Sequence, residues 1–386
     1  MTDIKKLFSG IGVVIDDEIN NQESTINKIV LSFKQSNIPI LAYSSLPEDN
    51  DIQAFHSVNF ILLDWKWNNV ASDETLTNDN VDFIRKLQDQ IVCPIFIFTD
   101  ESTDDIQYRL TANNIANQTH NSLVLIKHKN DIDTSDKLFD ALTTWITQTP
   151  PAYVLKEWER NHTFALNSMF VDLYRSNHNW VNIMYKTSQK DGIDFSYELS
   201  NLLVENLQYR MNLLNIDTQY LREFPDEGYA PHEIRDILQC QRFLPQEKLL
   251  SDMVHTGDIY KVVENEKTLY YINVRPQCDC IPREGITIDK IKLYLVRGEE
   301  KEIEKCSYNK KYGTFADIES RVTIFPINHK AIQFELGDFE IKTYGEYRQH
   351  RIGRLLPPFI TRLVQKFASY TQRQGLPRIP DDSTNF

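Results

Sequence analysis

Four short apolar segments, each followed at once by charged or hydroxyl residues, constrain the fold of this chain more than any other feature. They cover residues 12–15, 60–63, 94–98 and 123–126. Apolar runs of this length are typical of strands buried on both faces of a parallel sheet. A fifth strand is predicted over residues 39–43, and stretches with helical spacing separate the strands. The alternation predicts an α/β fold with a doubly wound, five-stranded parallel sheet.

The residues that follow these segments indicate where the chemistry of the domain takes place. Asp16 and Asp17 follow the first segment, Asp64 follows the second, Thr99 the third and Lys127 the fourth. Parallel strands end at the same edge of a sheet, and ligands of such sheets bind beyond the carboxyl ends of the strands. We therefore expect these five side chains to converge on one pocket.

This set of residues, in this order, resembles the receiver domain of bacterial response regulators over residues 9–149. The resemblance implies that Asp64 accepts a phosphoryl group, which requires a divalent cation because carboxylate and phosphate repel each other. Hard oxygen ligands suit Mg²⁺, which keeps several waters and takes one or two carboxylates. We expect Asp17 and Asp64 to ligate Mg²⁺ directly and Asp16 to act mostly through water.

The resemblance also assigns roles to the last two strand ends. Lys127 is expected to place a point charge on a phosphoryl oxygen, with Lys129 as a competing candidate. Thr99 is expected to bind another oxygen and to move when the phosphoryl group arrives. Three residues depart from the family pattern, because Asp100 stands where a small residue is usual, His128 where a proline is usual and Val124 where an aromatic residue is usual. The departures at Asp100 and His128 bear on phosphoryl transfer. Both departures favour a domain that binds a partner without phosphoryl transfer.

Length and charge divide the chain into parts. A chain of 386 residues is long enough for two or three domains. Residues 1–150 hold 11 Lys and Arg against 22 Asp and Glu, which is −11 of the total charge of −13. The prolines at 150 and 151 are the expected boundary. We predict a receiver-like domain over 1–150, a helical region over 151–250 and a β-rich output domain with a C-terminal helix over 251–386.

The second half of the chain shows helical periodicity first and strand patterns later. Long amphipathic runs cover residues 154–174 and 197–213, and Pro231 is expected to begin a further helix. Strand patterns begin near residue 258 and predict a small antiparallel β-barrel or a curled sheet. A final helix is predicted after the prolines at 357 and 358 and before Gly375.

Two features of the second half suggest ligands, and for both we prefer the simpler interpretation. Cys278 and Cys280 lie downstream of His232 and His255, but a single Cys-x-Cys lacks the second closely spaced pair of a zinc module. A basic segment gathers seven side chains, which we expect to pair with acids elsewhere, the acidic N-terminal module included, more than with nucleic acid. These side chains are Arg348, Arg351, Arg354, Arg362, Lys366, Arg373 and Arg378.

The sequence therefore predicts a cytoplasmic signalling protein whose receiver domain is phosphorylated by a histidine kinase and controls a C-terminal effector region. No apolar run approaches the ~20 residues of a membrane span, and five cysteines in so long a chain do not form a disulfide framework. The first alternative is a non-catalytic adaptor that binds a kinase-type ATPase. The second is a nucleic-acid binder or nuclease acting through the C-terminal barrel. Among partners, a second copy of the chain in a homodimer is a further alternative.

Overall fold

The computed structural model describes residues 4–67, 73–115, 122–214, 229–249, 252–315 and 320–374. The chain divides into two compact units. The first comprises Met1–Arg175 and Glu205–Pro225, and the second comprises Ser176–Val204 and Asp226–Phe386. The helical region predicted over 151–250 is therefore not a domain of its own, because its helices are shared between the two units.

The first unit is built on a five-stranded sheet in which all neighbouring strands are parallel. The strands are β1 (Ile11–Ile15), β2 (Ile40–Tyr43), β3 (Val58–Leu63), β4 (Ile95–Thr99) and β5 (Val124–His128). Their spatial order is β2-β1-β3-β4-β5, which puts β3 at the centre. The predicted α/β class and the five-stranded parallel sheet are confirmed.

Helices cover both faces of this sheet, since every crossover between parallel strands needs one. They are α1 (Ile4–Leu7), α2 (Thr25–Gln35), α3 (Asp49–Ile52), α4 (Asp73–Gln90), α5 (Thr103–Ala112) and α6 (Ser135–Gln148). Successive residues of β3 point to opposite faces. Phe60 and Leu62 therefore belong to one core cluster, whereas Ile61 and Leu63 belong to the other.

The helix α7 (Pro150–Ser176) begins at the proline pair where a domain boundary was predicted. Proline is compatible with a first helical turn, because the amide it lacks has no partner there. Lys156 fixes this helix to the amino-terminal edge of the sheet. Its buried ammonium donates to the backbone oxygen of Asn59 at 2.5 Å, to the Asn59 side chain at 2.7 Å and to Glu159 at 2.6 Å. The start of α7 is thus part of the first unit.

The second unit contains an antiparallel curled sheet, as predicted, and this sheet has seven strands. The strands are β6 (Phe243–Pro245), β7 (Asp258–Glu264), β8 (Lys267–Asn273), β9 (Lys292–Lys301), β12 (Arg321–Ile327), β13 (Lys330–Thr343) and β14 (Arg351–Leu355). Their spatial order is β12-β13-β9-β8-β7-β14-β6. A separate hairpin pairs β10 (Tyr308–Asn309) with β11 (Thr314–Phe315).

The helices of the second half are α8 (Trp180–Asp191), α9 (Phe195–Arg210), α10 (Pro231–Arg242), α11 (Tyr344–Tyr347) and α12 (Phe359–Thr371). The helix α9 crosses from the second unit into the first at Glu205. The helix α8 was not predicted, and the Gly375 expected to follow the last helix lies outside the described residues. Among the helices that the structure describes, none combines the length and apolarity that crossing a membrane requires.

Candidate functional site

The carboxyl edge of the first unit's sheet brings three carboxylates together. Asp16 follows β1 and Asp64 follows β3, and these two strands are neighbours that end in register at Ile15 and Leu63. Asp16 is fully buried and Asp64 is 5% exposed, whereas Asp17 is partly exposed. One carboxylate oxygen from each of the three residues lies within 4.8 Å of the others. The predicted convergence of these three acids is therefore found in the structure.

The lysine at this site is Lys129, not Lys127. The Lys129 ammonium lies 2.8 Å from Asp16 Oδ2 and 2.8 Å from Asp64 Oδ2, and its side chain is buried. Lys127 is still inside β5, where it pairs with Phe98. Because β5 continues to His128, the first residue beyond the strand is Lys129. The position given to Lys127 was thus two residues too early.

Each buried carboxylate divides its two oxygens between the backbone and Lys129. Asp16 Oδ1 accepts from the amide of Glu18 at 2.8 Å, and Asp64 Oδ1 accepts from the amide of Lys66 at 3.4 Å. The Oδ2 atoms of both residues accept from Lys129. These bonds fix the orientation of both carboxylates toward the pocket.

The electrostatics of the site keep Lys129 charged and make Asp64 easy to protonate. Burial raises the pKa of Asp64 to about 7, and the nearby Asp16 adds to the increase while Lys129 opposes it. Burial alone would lower the pKa of Lys129, but the attraction of Asp64 and Asp16 outweighs burial and raises it above its usual range. The pocket therefore holds a permanent positive charge beside a carboxyl group that gains a proton unusually readily.

Thr99 is the last residue of β4, the strand next to β3, and so lies at the same edge of the sheet as the aspartates. The side chain is fully buried, and its hydroxyl oxygen accepts a hydrogen bond from the amide of Glu101 at 3.1 Å. The loop that follows β4 is held by its neighbours. Lys66 pairs with Glu101, and the His128 ring contacts the carbonyl of Asp100.

The donor set at this edge fits a hard divalent cation. Asp16, Asp17 and Asp64 supply carboxylate oxygens within bridging distance of one another, and such oxygens are the ligands of Mg²⁺, Ca²⁺ and Mn²⁺. When all three are ionised, Lys129 balances one of the three negative charges. A divalent cation would neutralise the remainder, so the residues present are compatible with a metal here.

Three residues of the basic segment in the second half, Arg348, Arg351 and Arg354, form ion pairs inside the second unit. Arg354 Nε lies 2.6 Å from the fully buried Asp258, and Arg351, itself buried, lies 3.4 Å from the same carboxylate. Arg348 pairs with Asp252. The expected pairing of these bases with acids is present, but the partners described here are acids of the same unit. Arg378 lies outside the described residues.

The Cys-x-Cys segment belongs to an ordinary protein loop in the structure. Cys278 is exposed, whereas Cys280 is buried and accepts a weak hydrogen bond from the Asn273 side chain at 3.5 Å. The His255 side chain forms a hydrogen bond with Gln277. Burial, together with the charges of Arg354 and Arg351, lowers the pKa of His255 to about 4. Within the described ranges, the candidate metal-binding group is the aspartate cluster and not these residues.

Two residues of the site were missed or misplaced at the sequence level. The strand β5 ends in two polar residues, Lys127 and His128, and Lys129 follows them. The sequence prediction ended the strand at the last apolar residue and therefore chose Lys127. Lys66 contributes both its amide to Asp64 and its side chain to Glu101, a double role that spacing alone does not show.

A scan against known protein families gives no match to this chain, and a search of curated proteins gives none either.

Proposed function

We propose that this protein is a response-regulator-like signalling protein, in which Asp64 of the first unit accepts a phosphoryl group from a histidine kinase and the second unit acts as the effector region. The observation that carries the proposal is the contact of Lys129 with both Asp16 and Asp64 at the end of the central strand. The strand order β2-β1-β3-β4-β5 supports it, because receivers share this order with other doubly wound sheets.

The chemistry that we propose is an in-line phosphoryl transfer. A carboxylate oxygen of Asp64 attacks the phosphorus of a phosphohistidine, an oxygen–phosphorus bond forms, and the phosphorus–nitrogen bond breaks. The imidazole nitrogen leaves with the electron pair of that bond. Lys129 then contacts a phosphoryl oxygen as a point charge, since its ammonium already lies 2.8 Å from the Asp64 oxygen. The Thr99 hydroxyl donates a hydrogen bond to a second phosphoryl oxygen.

A metal ion has a defined place in this proposal. Asp17 and Asp64 would hold Mg²⁺ directly, and Asp16 would bind one of its waters. The ion supplies positive charge that offsets the repulsion between the carboxylates and the incoming phosphoryl group. The partial exposure of Asp17 gives the cation access from solvent.

Intact-mass measurement after incubation with acetyl phosphate and Mg²⁺ tests the proposal. We expect the wild-type protein to gain the mass of one phosphoryl group and Asp64→Asn to gain none. Asp51→Asn, which removes an exposed acid of the same unit, is the matched control and should behave like the wild type. An unchanged mass of the folded wild-type protein would contradict the proposal.

A second candidate function is a non-catalytic adaptor that binds a kinase-type ATPase through the receiver-like unit. The observation that favours it is that each oxygen of the Asp64 carboxylate already accepts a hydrogen bond, one from Lys129 and one from the Lys66 amide, together with the exposed acid Asp100 directly after Thr99. Co-purification distinguishes the two. An adaptor retains its ATPase partner in the Asp64→Asn variant, whereas a phosphorylation-dependent complex loses it.

A further inference from the structure

The loop that carries Thr99 is very short. Thr99 is the last residue of β4, and Ser102 is the N-cap of α5, so only Asp100 and Glu101 lie between them. The Glu101 amide donates to the Thr99 hydroxyl oxygen at 3.1 Å. A turn of the Thr99 hydroxyl toward Asp64 therefore breaks this bond and leaves the Glu101 amide without this acceptor.

One side of the loop is held from the strand that carries Asp64. The Lys66 ammonium lies 2.5 Å from Glu101 Oε1, while the Lys66 amide donates to Asp64. Both side chains of the ion pair are about half exposed, at 57% and 43%. The pair thus links the loop after β3 to the loop after β4.

The other side of the loop is held from β5. His128 Nε2 lies 3.2 Å from the carbonyl oxygen of Asp100, and His128 Nδ1 accepts from the amide of Asn130 at 3.3 Å. A carbonyl oxygen only accepts, so Nε2 must carry the ring proton. In the sheet order β3-β4-β5, the loop after β4 is therefore held from both neighbouring strands.

Free space lies beside the loop. A cavity of about 50 Å³ is bordered by Lys66 and Glu101, and by Ser102 and Asp105 at the start of α5. Loops that border unfilled space rearrange without displacing tightly packed side chains, in contrast to a close-packed interior. The two cross-loop contacts, rather than packing alone, are then what keep the loop in place.

We propose that Lys66 and His128 form a two-sided clamp that holds the loop in the conformation in which Thr99 bonds to Glu101. While the clamp is closed it favours the bond between Thr99 and Glu101, so Lys66 and His128 are positioning residues that raise the cost of turning the Thr99 hydroxyl to Asp64. The last step rests on the proposed function, because it needs a phosphoryl group on Asp64. The clamp itself is a property of the protein without any phosphoryl donor.

Hydrogen exchange of the full-length protein, measured on peptides that span the Thr99 loop, tests the clamp without a donor. We expect Lys66→Met to exchange about twofold to fivefold faster in this loop, from the strength of an exposed ion pair. His128→Leu should exchange about twofold to tenfold faster, from the loss of one hydrogen bond. The double variant Lys66→Glu with Glu101→Lys reverses the two charges of the ion pair, and its loop should show the wild-type rate of hydrogen exchange.

The control variant is Lys34→Met, which removes an exposed lysine on α2 and should leave the loop unchanged. Wild-type exchange in both Lys66→Met and His128→Leu would overturn the clamp. Incubation with acetyl phosphate and Mg²⁺ separates this result from the proposed function. Faster loop exchange in Lys66→Met, with no phosphoryl group gained by any variant, retains the clamp and removes phosphoryl transfer. Faster exchange with faster phosphorylation supports both.

Discussion

At the scale of single residues, Lys129 decides how the pocket is put together. Its ammonium is the partner that the buried carboxylates of Asp16 and Asp64 share. Removing one member of a buried ion pair is strongly destabilising, because a charge is left in a medium that solvates it poorly. Lys127, two residues earlier, is inside β5 and pairs with Phe98.

The variants Lys129→Met and Lys127→Met therefore differ sharply in their expected stability. We expect Lys129→Met to lower the free energy of unfolding by about 3 kcal/mol or more. Lys127→Met should cost less than about 1 kcal/mol, as for a partly exposed side chain outside the pocket. Urea denaturation of both variants measures the difference. Equal losses would show that Lys129 does not have the role assigned to it.

His255 makes the stability of the second unit depend on pH. Its pKa is lowered from 6.5 to about 4 by burial and by two arginines, so the unfolded chain takes up a proton before the folded protein does. Stability is therefore lost as pH falls from about 6.5 toward about 4, and fully retained above that window. At pH 5 the loss is about 2 kcal/mol.

His255→Gln removes this titration, and the comparison of two pH values isolates it. We expect the change in unfolding free energy between pH 7 and pH 5 to be smaller in His255→Gln than in the wild-type protein. Other groups of the second unit, including the buried Asp258, titrate in both proteins, so the difference between the proteins reports His255. The same pH dependence in both would contradict the assignment.

The sequence made the acids of the site predictable and left the lysine ambiguous, for a physical reason. Asp16 and Asp64 follow strands whose last residues are fully buried, so the end of the apolar run marks the end of the strand. The strand β5 is at an edge of the sheet, and its last three residues are only partly buried. Partial burial allows Lys127 and His128 inside the strand, which hides where β5 ends.

At the scale of elements, the close contact between β1 and β3 depends on Gly12. A Cβ atom at this position would overlap the ring of Phe60, which is fully buried in the core of the first unit. The register between β1 and β3 also shifts between Ile11 and Gly12. Because Gly12 has no side chain, the Phe60 ring can occupy the space beside it.

Gly12→Ala is therefore expected to lower the free energy of unfolding by about 1–3 kcal/mol, the usual cost of an overfilled core. Adding Phe60→Leu should recover part of this loss, although Phe60→Leu alone is destabilising. Thermal or urea unfolding of the two single variants and the double variant measures the coupling. Strictly additive losses would exclude the contact as the cause.

Elements of the second half were predicted less completely. The long strand β13 continues through a shift of register between Phe334 and Phe339, which interrupts the pairing but not the strand. The strand β14 was missed because its five residues, Arg351–Leu355, include two arginines and a glycine and show no strand-like alternation of polar and apolar residues. Both arginines form ion pairs with Asp258, a pairing distant in sequence that local patterns do not reveal.

At the scale of the whole molecule, two compact units replace the three predicted domains. Each has buried clusters of its own, two on the faces of the parallel sheet and two around the curled sheet. The negative charge of the sequence is concentrated in the part that carries the aspartate pocket. The proposed function assigns the phosphoryl transfer to the first unit and the response to the second.

Chemical trapping at Asp64 tests the central claim most directly. The full-length protein is incubated with acetyl phosphate and Mg²⁺ and then treated with borohydride, which reduces an aspartyl phosphate to homoserine. Peptide mapping reads the modified position. We predict reduction at position 64 that is lost when Mg²⁺ is withheld. An unmodified Asp64, or reduction at another carboxylate of the folded protein, would contradict the account.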